Sequence, residues 1–115
     1  MRSRKQKTRC EKQQLPKFEE VCRTYDELQK ASAQVLSNND EIVSIRCNVF
    51  IDGLEADGDY MTDFVCTKTN GDLMVREAVY RKYLLKPMTA KLLEQSRQYW
   101  LRHGVLDWGL MIDED

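Results

Sequence analysis

The sequence predicts a mixed α/β (α+β) domain in the order helix, three-strand antiparallel meander, helix, strand. Apolar residues step by three or four between positions 18 and 36 and again between 92 and 100, the spacing of one helix face. Between 43 and 80 they alternate, with turn-forming residues at two places, which indicates consecutive paired strands. At 115 residues the chain has room for one such domain with one modest core.

The first helix is predicted over residues 18–36 and the first strand directly after it. The helix face is apolar except for Ser32, and the polar run Ser37-Asn38-Asn39-Asp40 ends it. The following strand has a period of two and therefore one buried face. Its apolar positions are Val43, Ile45, Cys47, Val49 and Ile51.

Two further strands complete the predicted meander. A turn in residues 52–59 leads to a β-rich run at 60–68, and Thr69-Asn70-Gly71 gives a hairpin turn before a strand at 73–80. Lys86-Pro87 then breaks the strand, because proline cannot donate to a ladder and disfavours a helical residue before it.

A second helix and a final strand close the predicted order. Thr89 is a candidate N-cap of the helix, and Gly104 is placed to end it in a left-handed conformation. Ser96 lies among the apolar positions of its face, with Leu93 and Trp100. Residues 105–112 are apolar enough for a buried strand.

Charge is distributed unevenly along the chain. The formal net charge of -1 by itself argues against a nucleic-acid binder, since it offers no basic excess to neutralise phosphates. The first fourteen residues nevertheless carry +5 and the remaining 101 carry -6. We interpret 1–14 as a basic flexible arm and 15–115 as a single domain. The expected DNA-binding residues of the arm are Arg2, Arg4, Lys5, Lys7 and Arg9.

Two classes of protein are disfavoured by the rest of the sequence. No apolar run approaches the roughly 18 residues of a membrane span, and no signal-peptide pattern follows the basic start, so a cytoplasmic location without a membrane partner is expected. The four cysteines match neither a zinc knuckle nor a secreted disulfide framework. They are expected to be reduced thiols, mostly buried.

Two acids stand inside apolar strands. Asp63 lies between Met61 and Val65, and Glu77 between Val75 and Val79. Burying a carboxylate without a partner costs several kcal/mol. One interpretation is that both face solvent or pair with a nearby arginine. The other is a divalent-metal site of oxygen ligands, suited to Mg²⁺ and to hydrolysis of a phosphodiester.

The hairpin turn distinguishes these interpretations. A three-residue loop Thr69-Asn70-Gly71 pairs Lys68 with Asp72 and puts Asp63 opposite Glu77 on a shared face. A two-residue loop slips the register by one and sends the two carboxylates to opposite faces. The metal hypothesis requires the first register.

Several segments of the chain together match the pattern of a known family. They are residues 40–46, Thr62-Asp63-Phe64-Val65, Val75-Arg76-Glu77, Lys86-Pro87, Arg97-Gln98-Tyr99-Trp100 and residues 104–110. These segments resemble the catalytic N-terminal domain of TnsA-type transposon endonucleases, members of the restriction-endonuclease-like PD-(D/E)xK nucleases. The resemblance covers about residues 25–115 and implies that 15–115 is a single nuclease-like domain with the same core order of helix, meander, helix and strand. It also implies a Mg²⁺- or Mn²⁺-dependent DNA endonuclease.

The resemblance assigns the site residue by residue. Asp63 matches the strand Asp and Glu77 the Glu of the Glu-x-Lys element, so these two are the expected metal ligands. The lysine position holds Val79. The helix acid falls on Gln29 without a gap, or on Glu27 if two residues are inserted.

The candidate catalytic set is completed from neighbouring positions. Lys82, Lys86 and Lys91 are candidates to replace the missing lysine. With the first of these and Glu27, the set is Asp63, Glu77, Glu27 and Lys82.

Two functions remain open from the sequence. One is an active endonuclease of transposition or of phage or mobile-element DNA processing. The other is a catalytically inactive nuclease-fold module that binds DNA or a partner protein. The expected partners are DNA, transposase-type or other mobile-element proteins, and a second copy of the chain as a homodimer.

Overall fold

A computed structural model describes residues 2–3, 10–51 and 60–114. The predicted turn at 52–59 and the predicted DNA-binding residues Arg4, Lys5, Lys7 and Arg9 lie outside these ranges. The elements are β1 (Arg2–Ser3), β2 (Glu11–Gln13), β3 (Cys22–Thr24), α1 (Glu27–Ser37), β4 (Ile42–Ile51), β5 (Tyr60–Lys68), β6 (Leu73–Val79), α2 (Pro87–Arg102) and β7 (Asp107–Ile112), with a 3₁₀ turn at Arg81–Tyr83 before α2.

The α+β fold class and the antiparallel meander are confirmed. β5 pairs antiparallel with β4 on one side and with β6 on the other. β7 lies beside β6 and runs parallel to it, so α2 is the crossover that reverses the chain between them. β1 pairs with the start of β5, at Tyr60 and Met61, and β2 and β3 form a separate two-stranded sheet.

The β5–β6 hairpin has the three-residue loop that the metal hypothesis requires. Lys68 N donates to Asp72 O at 2.8 Å, and Gly71 has the positive φ of 91° that this loop places on glycine. The paired residues of the hairpin run from Thr67 with Leu73 to Phe64 with Arg76. Continued by one residue, this register puts Asp63 opposite Glu77, the pairing expected for a three-residue loop.

The helices cover opposite faces of β6. Met74 and Ala78 belong to a core cluster that includes Ala33 and Leu36 of α1. Val75, between them, belongs to a second cluster that includes Trp100 of α2. Alternate residues of a strand point to opposite faces, so the sheet is sandwiched between the two helices.

The first helix is shorter than predicted. It begins at Glu27, where Asp26 caps it by accepting a hydrogen bond from Gln29 N at 2.8 Å. The upstream part of the predicted helix forms β3, which pairs with β2. The prediction of a helix from residue 18 is therefore wrong, because pairing with a distant segment overrides the helical spacing of these apolar residues.

Part of the predicted arm also has regular structure. Glu11–Gln13 pairs with Cys22–Thr24, and Arg2–Ser3 pairs with the start of β5. Short polar strands of this kind have no periodicity long enough to be recognised in a sequence. Both described strands of the predicted arm are therefore hydrogen-bonded to strands of the domain.

The second helix begins two residues before its candidate N-cap. Pro87 occupies its first turn and Lys86 precedes it, so Thr89 is already helical. Gly104 has φ of 83°, the left-handed conformation predicted for the helix end. In the described part of the chain, no helix is long and apolar enough to cross a membrane.

Candidate functional site

Asp63 and Glu77 lie where regular pairing of β5 with β6 ends. Asp63 N donates to Glu77 Oε1 at 2.9 Å, and Ala78 N donates to Asp63 Oδ2 at 2.7 Å. Each carboxylate thus accepts a backbone N–H of the neighbouring strand. Both side chains are fully buried, so these hydrogen bonds satisfy groups that water cannot reach.

Gln29 of α1 connects Asp63 of β5 to Asn48 of the neighbouring strand β4. Its Nε2 donates to Asp63 Oδ1 at 3.3 Å and to Asn48 Oδ1 at 2.9 Å, while its Oε1 accepts from Tyr25 N at 2.9 Å. Asn48 Nδ2 in turn donates to Arg23 O at 2.8 Å. These contacts use both hydrogens of the Gln29 amide and fix the side chain of this fully buried residue.

This geometry decides between the two candidates for the helix position. Gln29 is the residue of α1 that faces Asp63, in agreement with the match to the family pattern that needs no gap. Glu27 is exposed in the first turn of α1. The two side chains are separated by about 200° around the helix, so both cannot face Asp63. An amide therefore stands where the resemblance implies an acid.

Glu77 is held from the other side of the sheet. Its Oε2 accepts from Ser96 Oγ at 2.7 Å and from Tyr60 Oη at 3.1 Å. Ser96 Oγ also accepts from Trp108 Nε1 at 3.2 Å. Burial raises the pKa of Glu77, and the charge of Asp63 adds to that rise. Burial and the adjacent Glu77 likewise raise the pKa of the Tyr60 phenol well above its usual value.

The expectation of a shared face is not met. Asp63 accepts from Gln29 of α1, whereas Glu77 accepts from Ser96 of α2, and these helices cover opposite faces. The difference arises at Asn48, whose φ of 55° is left-handed. Cys47 before it packs in the α1 cluster and Val49 after it packs in the α2 cluster, so the β4–β5 ribbon changes face there.

The donor set does not fit a Mg²⁺ or Mn²⁺ centre as arranged. Among the described residues, no group of three or more His, Cys, Asp or Glu is placed to hold a metal. The oxygens of Asp63 and Glu77 accept at least five hydrogen bonds. Mg²⁺ requires six oxygen ligands and usually keeps several waters, which a fully buried pair already used as acceptors does not provide.

Neither Val79, at the lysine position of the resemblance, nor Lys82, its candidate replacement, has the environment expected of a catalytic lysine. Val79 is 4% exposed and therefore buried where the resemblance implies lysine. Lys82 is exposed, with its Nζ 5.6 Å from the Tyr80 ring centroid and 5.2 Å from that of Tyr83. Its described contacts are thus with aromatic rings beside β6 and not with Asp63 or Glu77.

A scan of protein-family models and a search of curated proteins both match nothing to this chain. Neither comparison therefore supports the TnsA-type resemblance, which rests only on the sequence segments given above.

Several residues of the carboxylate network were not assigned to the site from the sequence. The resemblance places Gln29 at the position of an acid, and the alternation predicts strands at Asn48 and Tyr60 without a role in the site. Ser96 did give a signal, because a hydroxyl on the otherwise apolar face of a helix needs a buried partner. That partner is Glu77.

Proposed function

We propose that this chain is a nuclease-fold DNA-binding module in which the carboxylate pair connects strands and does not cleave DNA. The burial of Asp63 and Glu77 carries the proposal, since both are 0% exposed and each accepts from a backbone N–H. A carboxylate that acts on a phosphodiester must reach the reacting atoms or their metal. The amide at Gln29 and the buried Val79 agree with a structural role for the pair.

Two basic features support DNA as the partner. The first fourteen residues carry +5, enough to neutralise several phosphates. Beyond β6, Lys82 and Lys86 lie over the exposed Tyr83 ring, with Lys86 Nζ 4.7 Å from its centroid. Lysines with aromatic rings among them can contact phosphates and stack on bases.

The salt dependence of DNA binding tests this proposal. One variant replaces Arg2, Arg4, Lys5, Lys7 and Arg9 with glutamine and keeps the β2 strand intact. If all five contact phosphates of duplex DNA, the magnitude of the slope of log K against log salt falls by about 4.5. The control is Arg97→Gln, since Arg97 is paired with Glu94 on α2, and its slope should equal the wild-type slope. A slope unchanged by the five substitutions contradicts binding through the arm.

A metal-dependent endonuclease of transposition or mobile-element DNA processing is the second candidate. The register that sets Asp63 opposite Glu77 favours it. Plasmid nicking should be measured with Mg²⁺ and with Mn²⁺, on the wild type and on Asp63→Asn. Nicking by the wild type that is lost in Asp63→Asn supports the endonuclease. DNA binding without nicking in either metal supports the module.

Substitution of Val79, at the lysine position, further distinguishes the endonuclease from the DNA-binding module. Val79→Lys restores the Glu-x-Lys element, and Val79→Met is a control of similar length without the amine. Nicking gained only by the lysine variant would identify a site that lacks one group. If neither variant nicks DNA while both still bind it, the carboxylate pair is structural.

A further inference from the structure

Cys22 of β3 and Cys47 of β4 form a contacting pair of thiols. Cys22 belongs to the core cluster beneath α1 and Cys47 packs against the same cluster, so the two side chains share one environment, and each thiol shifts the pKa of the other. Cys22 is fully buried and Cys47 is half-buried, and both are free. We propose that hydrogen peroxide converts these two thiols into a reversible Cys22–Cys47 disulfide.

The surroundings of Cys47 suit the first attack. Cys47 lines a cavity of about 380 Å³ together with Arg23 and Asn48, so a small oxidant can reach its sulfur. The Cys22 thiol donates to it and lowers its pKa to about 7, against the opposing effect of burial. A hydrogen bond from the Arg23 N–H and the charge of the Arg23 side chain act in the same direction as the thiol.

Cys22 is suited to the second step by position. The hydrogen bond to Cys47 and burial both raise its pKa, so it remains a thiol until Cys47 has reacted. With no exposed surface, it is protected from direct oxidation. Its contact with Cys47 makes it the resolving thiol.

The reaction balances as a two-electron oxidation. The Cys47 thiolate attacks one peroxide oxygen, the O–O bond breaks, and the product is a sulfenic acid with hydroxide as leaving group. The Cys22 sulfur then attacks the Cys47 sulfur, the S–O bond breaks, and the departing oxygen leaves as water with the thiol proton. Two thiols and one peroxide thus give one disulfide and two waters. A dithiol reductant reverses the change.

The disulfide would bear directly on the buried network. Each cysteine precedes a residue of that network, Arg23 in β3 and Asn48 in β4, which are joined by the 2.8 Å hydrogen bond from Asn48 Nδ2. Asn48 continues the chain to Gln29 and thus to Asp63. Oxidation therefore fixes β3 to β4 next to the residue at which the ribbon changes face.

Peptide mapping of the full chain after peroxide treatment tests the proposal. Remaining thiols are alkylated before digestion without reductant, and the expected product is a peptide pair joined through Cys22 and Cys47 and released by dithiothreitol. The matched control is Cys66→Ser. Cys66 is also fully buried, and burial raises its pKa to about 12, so this variant should form the same disulfide. Treated wild type that lacks the peptide pair, or that joins either cysteine to Cys10 or Cys66, overturns the proposal.

A second measurement does not depend on any variant. Alkylation of the reduced wild type by iodoacetamide, followed by mass spectrometry from pH 5 to 10, reports the ionisation of each thiol. Cys47 should be modified with a midpoint near pH 7. At that pH about half of it is thiolate, some 50-fold more than an ordinary thiol of pKa 9.0. A Cys47 midpoint near 9 would remove the first step of the reaction.

Discussion

Asp63 and Glu77 are joined through the backbone as well as by proximity, since Asp63 N donates to Glu77 Oε1 at 2.9 Å. The neighbouring Ala78 N completes the exchange by donating to Asp63 Oδ2 at 2.7 Å. The two carboxylates thus accept backbone N–H groups in the place of ladder carbonyls between β5 and β6. Their first effect is therefore on stability, and variants must be measured for folding before they are interpreted for activity.

Glu77→Ala should destabilise the fold by about 2 kcal/mol or more. It removes the acceptor of Asp63 N and of the Tyr60 and Ser96 hydroxyls, and each buried donor left unsatisfied costs about 1–3 kcal/mol. Urea unfolding measures the loss. Glu77→Gln, which keeps one oxygen for Asp63 N and removes the buried charge, should lose less than half as much. Equal losses in the two variants would show that the hydrogen bonds contribute little.

Gln29→Glu tests the helix position directly. It replaces a donor to Asp63 and Asn48 with a second carboxylate in a fully buried site. The expected loss at neutral pH is about 2 kcal/mol or more, because a buried donor is lost and like charges are brought together. Thermal unfolding should show it, with Gln34→Glu on the exposed side of α1 as the control.

The same variant reports on metal binding. If the added carboxylate completes a site, MgCl₂ should raise the melting temperature of Gln29→Glu and leave that of the wild type unchanged. An equal rise in both proteins would show that the wild-type pair already binds the ion. The choice between the two proposed functions would then shift towards the endonuclease.

Asp107 should make the free energy of unfolding depend on pH in the acid range. Hydrogen bonds and charges from Lys68, at 2.6 Å, and Arg76, at 2.8 Å, lower its pKa. Its stabilising contribution is therefore complete above the usual range of an aspartate and is lost as the pH falls through the lowered folded-state pKa. About a third of the side chain is exposed, so the contribution is below about 1 kcal/mol. The stability difference between wild type and Asp107→Asn should shrink as the pH falls from 5 to 2.

Gly71→Ala should cost about 1 kcal/mol through the backbone alone. The residue has φ of 91°, and a Cβ built there meets no atom within 4 Å, so no steric contact adds to the conformational penalty. Gly71→Asn should cost less, because asparagine adopts positive φ more readily. Denaturant unfolding of the two variants gives the comparison, and an alanine variant as stable as the wild type would contradict the turn assignment.

The turn residues of the β5–β6 hairpin reduced the possible registers to two, one for a three-residue loop and one for a two-residue loop. The structure has the three-residue loop, and this loop length sets which residue lies opposite Glu77. The start of α1 depends instead on pairing of β3 with β2, which no pattern within residues 18–25 records. The faces of the two carboxylates depend on the left-handed Asn48, a single backbone angle inside a regular alternation. Sequence periodicity extends through such a residue without showing the change.

The hydrogen-bond chain from Arg23 through Asn48 and Gln29 to Asp63 also constrains how this sequence can change over time. Glutamate at the position of Gln29 cannot donate the two hydrogen bonds that the amide gives to Asp63 and Asn48, and lysine at the buried Val79 brings a charge into the core. Each of these changes made alone is therefore expected to lower the free energy of unfolding. The positions of Gln29 and Val79 are linked through the same buried carboxylates, so a change towards the nuclease pattern is expected to require coupled substitutions.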